Sequence, residues 1–205
     1  QVRHVLDEVL ILSHLRCKLV VELYAMFQDE NNVYIVMEYA PGGELFTHLR
    51  RERKFTTDRA KFYAVEVAGA LRVMHAVNVL YRDIKPENIV LSADGHIRLC
   101  DFGFAKVIKK GNVTFTTCGT PEYITPEMIE GRGYAHAADF WMLGVLLYEM
   151  LVGHPPFYGQ NPFEVYNKIL SGKFSFPMSA RVSSLAQLAV HNLLQINRRK
   201  RLGCG

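Results

Sequence analysis

Apolar positions recur along the first thirteen residues at Val2, Val5, Leu6, Val9, Leu10 and Leu12, the spacing of one helix face, with Glu8 among them. The pattern then changes to two β-rich runs, Leu19 to Phe27 and Val33 to Tyr39, and the polar stretch "QDENN" between them marks a hairpin. Pro41-Gly42-Gly43 stops the alternation, and "ELFTHLRR" follows as a short helix. "TTDRAKFYAVEVAGALRVMHAV" opens on a Thr/Asp start and predicts a long helix. Short β segments flank Asp94-Gly95, a tight-turn pair. Past residue 125 the period is helical at about 136–152, 162–171 and 184–196. This order predicts an α+β chain: a small sheet-bearing part, then a larger helical part, joined at Pro41-Gly42-Gly43.

Composition narrows the class. The chain has 205 residues, 49% of them hydrophobic and 21% charged, an ordinary globular mix. A net charge of +4 is too modest to point to nucleic acid, and the basic runs at 50–54 and 198–201 read as solvated helix ends and loops. Cys17, Cys100, Cys118 and Cys204 are scattered with no Cys-x-x-Cys pair, which argues against a zinc site or a disulfide scaffold and for a reducing compartment, the cytoplasm with the nucleus as a second location. The longest apolar stretch, "FWMLGVLLYEMLVG", carries Glu149 and is too short for a membrane span, so a buried core helix is expected there. The first residue is Gln, and the chain is expected to be an excerpt of a longer one.

The chemistry concentrates in "YRDIKPEN", residues 81 to 88. Asp83 and Asn88 stand at a spacing that supplies a carboxylate for a hydroxyl proton and, nearby, an oxygen ligand for Mg²⁺; Lys85 between them suits charge on a moving phosphoryl group. "DFG" at 101–103 adds a second oxygen ligand, Asp101, with Phe102 to pack and Gly103 to let the backbone turn. Ahead of Thr-Pro-Glu at 125–127 lies a hydroxyl-rich stretch, "GNVTFTTCGTPEYITPE".

"MEYAPGGELFTHLR", "YRDIKPEN", "DFGFAK", "CGTPEY" and "HPPF" together resemble the AGC group of eukaryotic serine/threonine protein kinases, in the branch of the cAMP-dependent kinases, over nearly the whole chain. The resemblance implies a two-lobe kinase-like fold, with residues 1–40 forming part of a small β-rich lobe and the hinge, and 41–205 the large helical lobe. It implies ATP and Mg²⁺ as cofactors, with Asp83 as catalytic base, Lys85 on the γ-phosphate, Asn88 and Asp101 on the metal, and Thr120 supporting Asp83 and Lys85. Met37, Glu38, Ala40, Glu87 and Val90 fall at nucleotide-site positions, and Glu8 is the helix partner of a phosphate-anchoring lysine. Thr116 becomes the activation-loop phosphosite, with His4, Arg82 and Lys106 as its basic contacts. Glu44, Glu87 and Glu149 match positions that receive arginines before the acceptor, and Thr117, Pro121 and Ile124 the pocket after it. Thr117 stands where the family has a leucine, and Phe115 where it has a tryptophan used in regulatory-subunit docking. A Glu127–Arg201 ion pair and an Asp139 brace on the catalytic loop are expected on the same basis. The implied partners are protein substrates with basic residues before Ser or Thr and a cyclic-nucleotide-binding regulatory subunit, with no nucleic acid and no membrane span.

Two features qualify the match. No Gly-x-Gly-x-x-Gly occurs, and no Val-Ala-Ile-Lys precedes Glu8, so the kinase domain is expected to be incomplete at its start; the resemblance implies that it also stops before the hydrophobic tail of AGC kinases, and these residues alone are expected to be poorly active. A non-catalytic binding module or scaffold, and a cGMP-dependent or other AGC kinase, stand as alternatives. Cys100, directly before Asp101, is either a small buried residue or a reactive thiol in the nucleotide pocket.

Overall fold

The computed structural model describes residues 2–109 and 111–204, with the backbone alone for residues 2–4 and 7. Helix α1, Val2–His14, buries Ile11 and Leu12 at its C-terminal end. Strands β1, Leu23–Gln28, and β2, Val33–Met37, pair antiparallel with Leu23 opposite Met37. Asp29 closes their turn, its Oδ1 accepting the N–H groups of Asn31 and Asn32 at 2.8 and 2.7 Å.

The first β run was expected from residue 19, but residues 19–21 leave the hairpin. They run beside β5, Ile97–Leu99, in a parallel bridge between Val20 and Leu99. Leu99 N–H donates to the Leu19 carbonyl at 2.8 Å, and Val21 N–H to the Leu99 carbonyl at 3.0 Å. Val20 and Val21 are both buried there, so burial wins over continuation of the hairpin.

Beyond Pro41-Gly42-Gly43, Gly42 N–H bonds the Leu91 carbonyl at 2.8 Å and Leu91 N–H returns to the Gly43 carbonyl at 2.9 Å. Helix α2, Leu45–Glu52, follows. Helix α3, Thr57–Ala76, is capped by Thr56, whose side chain accepts from Arg59 N–H at 3.4 Å. Strand β4, Ile89–Leu91, pairs antiparallel with β5. A second pair, β3 at Val79–Leu80 with β6 at Lys106–Val107, has no counterpart in the sequence pattern, since two residues carry no periodicity.

The remaining helices are α4, Pro126–Ile129; α5, Ala137–Val152; α6, Pro162–Ser171; and α7, Ser184–Leu193. Helix α7 ends three residues short of the expected limit. Helix α5 is buried along nearly its whole length, and the acids Asp139 and Glu149 are buried with it. Arg201 closes the C-terminal part on α4: its Nη1 and Nη2 meet Glu127 Oε1 and Oε2 at 2.7 and 3.0 Å, the expected ion pair. The architecture is α+β, as the pattern predicts. An apolar cavity of about 610 Å³ between α3, α5 and α7 shares no residue with the site below. Among the described residues no helix is long and apolar enough to cross a membrane.

Candidate active site

Asp139, in the first turn of α5, organises the loop after β3. Its Oδ2 accepts Tyr81 N–H at 3.0 Å, its Oδ1 accepts Arg82 N–H at 2.8 Å, and His75 of α3 pairs with it at 2.7 Å. Arg82 has a φ of 71°, a left-handed conformation that costs a non-glycine residue about 1–3 kcal/mol. The two amide bonds to a fully buried carboxylate hold it there, which is the expected brace.

The next residue is Asp83, buried at 3% exposure. Its Oδ2 accepts Lys85 Nζ at 2.9 Å and Asn88 Nδ2 at 2.6 Å, and the same Asn88 nitrogen reaches the Asp83 carbonyl at 2.9 Å. Asp83 Oδ1 accepts no hydrogen bond among the described residues. The carboxylate is therefore locked by one oxygen and free on the other, the arrangement a proton acceptor needs. Gly119, at φ 101°, lets the activation segment pass close by: a Cβ there would lie 3.4 Å from the Arg82 carbonyl and 3.8 Å from Asp83 Oδ1. Thr120 starts the 3-10 turn Pro121–Tyr123, and its hydroxyl has no hydrogen bond to Asp83 or Lys85.

The β4–β5 register brings in Asp101. Ile89 lies opposite Leu99, so the residues just outside the pair, Asn88 and Cys100, also meet: Cys100 N–H donates to the Asn88 carbonyl at 3.0 Å. Asp101 follows at φ 57°, its Oδ1 accepting Gly103 N–H at 3.1 Å. Phe102 is buried and packs edge-on against Tyr81 at 5.1 Å. The Tyr81 hydroxyl donates to the Cys100 carbonyl at 2.5 Å; burial pushes its pKa well up and keeps the proton on. Glu8 Oε1 accepts Phe102 N–H at 3.0 Å, so α1 is tied to the same segment. Cys100 is half-buried, and its thiol is pushed up to about 11, by burial first and the Asp101 charge second.

The donor set fits a magnesium ion. Asn88 spends its amide nitrogen on Asp83, which leaves its Oδ1 without a partner among the described residues, and Asp101 keeps Oδ2 on the same terms. Both are hard oxygen ligands, and Mg²⁺ fills its remaining positions with water and phosphate oxygens. No group of three or more His, Cys, Asp or Glu side chains suited to a metal occurs among the described residues.

Residues Met37 to Ala40 form the link after β2. Glu38 N–H bonds the Glu22 carbonyl at 2.8 Å, while the Glu38 carbonyl and the Ala40 N–H take no partner among the described residues. Met37 is 39% exposed; Val90, half-buried in β4, lies opposite Arg98 and bridges Glu44.

The hydroxyl-rich segment is pinned by Tyr134, which the sequence did not single out. Thr114 and Tyr134 exchange backbone hydrogen bonds at 2.9 Å each way. The Tyr134 hydroxyl donates to the Thr116 carbonyl at 2.5 Å and accepts from Arg82 Nη1 at 3.3 Å. Burial pushes its pKa up to about 12, against the opposing hydrogen bond from Arg82. Arg82 Nε also donates to the Phe104 carbonyl at 2.5 Å. Lys106 reaches the buried Thr114 hydroxyl at 3.1 Å, whereas Thr116 is exposed. Arg82 and Lys106 thus approach residues 114–116, and neither touches the Thr116 hydroxyl. The side chain of His4 lies outside the described residues.

A cleft of about 330 Å³ gathers Glu87, Glu149 and a third acid, Glu122, with Arg50 as its cation. Glu149 accepts the Tyr123 hydroxyl at 2.5 Å. Its pKa is raised by burial and by the charges of Glu87 and Glu122, against the Tyr123 hydrogen bond and Arg50. Glu44 lies outside this cleft, at the N-cap of α2, where its side chain makes no cap bond. Pro121 is half-buried, Ile124 buried and Thr117 exposed. The signal for Glu122 was only a glutamate after Pro121.

A family model described as the protein kinase domain matches residues 1–205. The chain is 48% identical over 203 residues to the cAMP-dependent protein kinase catalytic subunit of Dictyostelium discoideum, covering 99% of this chain and 31% of that protein. It is 44% identical over 205 residues to the human cAMP-dependent protein kinase catalytic subunit PRKX, covering 99% of this chain and 56% of that one. It is 46% identical over 204 residues to the serine/threonine protein kinase ypkA of Aspergillus fumigatus, covering 99% and 32%. The chain thus spans from about a third to just over half of the length of these relatives.

Proposed function

The chain belongs to the protein kinase domain family, and on that premise we propose that the protein transfers the γ-phosphoryl group of ATP to serine or threonine hydroxyls of protein substrates. The carrying observation is the Asp83 carboxylate, with Oδ2 held by Lys85 and Asn88 and Oδ1 free. Asp83 Oδ1 orients the acceptor hydroxyl and takes its proton as the new oxygen–phosphorus bond forms and the bond to the β-phosphate oxygen breaks. Lys85, beside the carboxylate, faces the charge of the moving group. Asn88 Oδ1 and Asp101 would hold Mg²⁺, which when bound neutralises phosphate charge. The Glu38 carbonyl and Ala40 N–H offer an acceptor and a donor to the adenine edge.

The finer reading concerns the substrate. The Glu87–Glu122–Glu149 cleft is short of cations, and Glu149 resists ionising inside it. A substrate guanidinium supplies the missing charge with bidentate geometry, which favours peptides with arginines ahead of the acceptor. Residues 1–40 then act as small-lobe elements and hinge, and 41–205 as the large lobe. The names of two relatives support a cyclic-nucleotide-binding regulatory subunit as partner, while ypkA, at 46% identity, favours another AGC branch.

The complete enzyme, purified and incubated with Mg-ATP, should label a peptide carrying arginines before its serine faster than the same peptide with alanines, and Asp83→Asn should abolish labelling. Equal labelling of both peptides would refute arginine selection. Labelling that survives Asp83→Asn would refute the catalytic assignment.

A further inference from the structure

We infer that Glu38 and Arg98 form a clamp across the hinge and that Arg98 is a positioning residue for nucleotide binding, an inference that rests on the kinase reading above. Arg98 Nε donates to both carboxylate oxygens of Glu38, at 3.0 and 3.1 Å, while its Nη1 is fixed on the Ile97 carbonyl at 3.1 Å. Glu38 Oε2 also accepts Glu22 N–H at 3.4 Å. The two side chains are 17% and 22% exposed, which keeps the pair out of full solvent screening.

The clamp joins segments that are far apart in sequence. Glu38 follows β2 and Arg98 sits in the middle of β5. Across the β4–β5 pair Arg98 lies directly opposite Val90, so the two side chains share a face of that ribbon. The carboxylate that Arg98 holds belongs to the residue whose carbonyl is left unpaired for adenine. Its N–H is already spent on Glu22, so the peptide around Glu38 is held from the backbone on one side and through the side chain on the other. Releasing the side chain leaves both segments folded and frees the hinge peptide to turn. The effect should therefore appear in nucleotide affinity, with little change in the chemical step.

The test compares wild type, Arg98→Gln and the charge swap Glu38→Arg/Arg98→Glu. Two readouts are needed: the dissociation constant for Mg-ATP, and amide hydrogen exchange over residues 38–44. Arg98→Gln should weaken Mg-ATP about fivefold, near the upper end for an ion pair of this exposure, and speed exchange in the hinge. Turnover at saturating ATP should stay unchanged, and the swap should recover most of the affinity. Wild-type affinity in Arg98→Gln, or unchanged hinge exchange, would overturn the clamp and leave the kinase reading standing. A complete wild-type enzyme, glycine-rich loop and strand lysine included, that binds no Mg-ATP would overturn the kinase reading, and nucleotide positioning with it.

Discussion

Two buried acids on one helix behave in opposite ways at the residue scale. Asp139 is satisfied: three donors converge on it, and two of them fix the backbone of the catalytic loop. Asp139→Asn turns an acceptor into an amide that faces one of those donors, and an orphaned buried donor costs about 1–3 kcal/mol. We expect kcat/KM to fall about a hundredfold, with a smaller effect on thermal stability, measured by steady-state kinetics beside a melting curve. Glu149 is under-satisfied, and its raised pKa gives a pH signature. A carboxyl that titrates higher in the folded than in the unfolded state contributes stability below the ordinary carboxylate range. That contribution is lost as pH rises through its raised value. At neutral pH Glu149→Gln should therefore leave the melting temperature unchanged or higher, since Gln still accepts from Tyr123. The same substitution should raise KM for an arginine-bearing peptide about tenfold.

The joint between the two parts of the chain shows what an element requires of one residue. A Cβ on Gly42 would lie 2.7 Å from both the Cβ and the carbonyl oxygen of Leu91, and no rotation of a flexible side chain relieves a contact with backbone. Gly42→Ala must push the joint off β4 and break the pair of bonds between residues 42–43 and Leu91. We expect a loss of about 1–3 kcal/mol in urea unfolding and a higher KM for ATP. The Pro-Gly-Gly signal was legible in the sequence, and so were α1, the hairpin, the Thr56 cap and the long core helix, because each rests on local periodicity or a local cap. What was not legible depends on distant partners. The β3–β6 pair, the Val20–Leu99 bridge and the Glu38–Arg98 contact join residues separated by tens of positions, with no short-range pattern to announce them.

At the scale of the whole molecule, the hydroxyl-rich segment and the loop after β3 meet at Tyr134. Thr116 is exposed, and a phosphate on it adds about −1.5 to −2 charges within reach of a segment that already holds Arg82 and Lys106. Thr114 is buried beneath Lys106, and a kinase cannot reach it without opening the segment. Thr116→Ala should lower activity at least tenfold and leave the protein insensitive to phosphatase. Thr114→Ala should lose about 1 kcal/mol of stability and remain phosphatase-sensitive. Loss of phosphatase sensitivity in Thr114→Ala instead would move the phosphosite. The motif residues announced this region, but Tyr134 carried no motif: an aromatic after Gly133 reads as core until its hydroxyl is seen between Arg82 and Thr116.

Strand β5 is three residues long, yet residues 19–21, the hinge carboxylate of Glu38 and the approach to Asp101 are all fixed to it. In a machined part, features dimensioned from one datum face keep their spacing when that face shifts, and tolerances do not accumulate from one feature to the next. Here the same holds for the backbone at Glu38 and for Asp101, the residues proposed to meet adenine and Mg²⁺, whose separation is set through one short strand. A substitution that displaces β5 should therefore carry both along together.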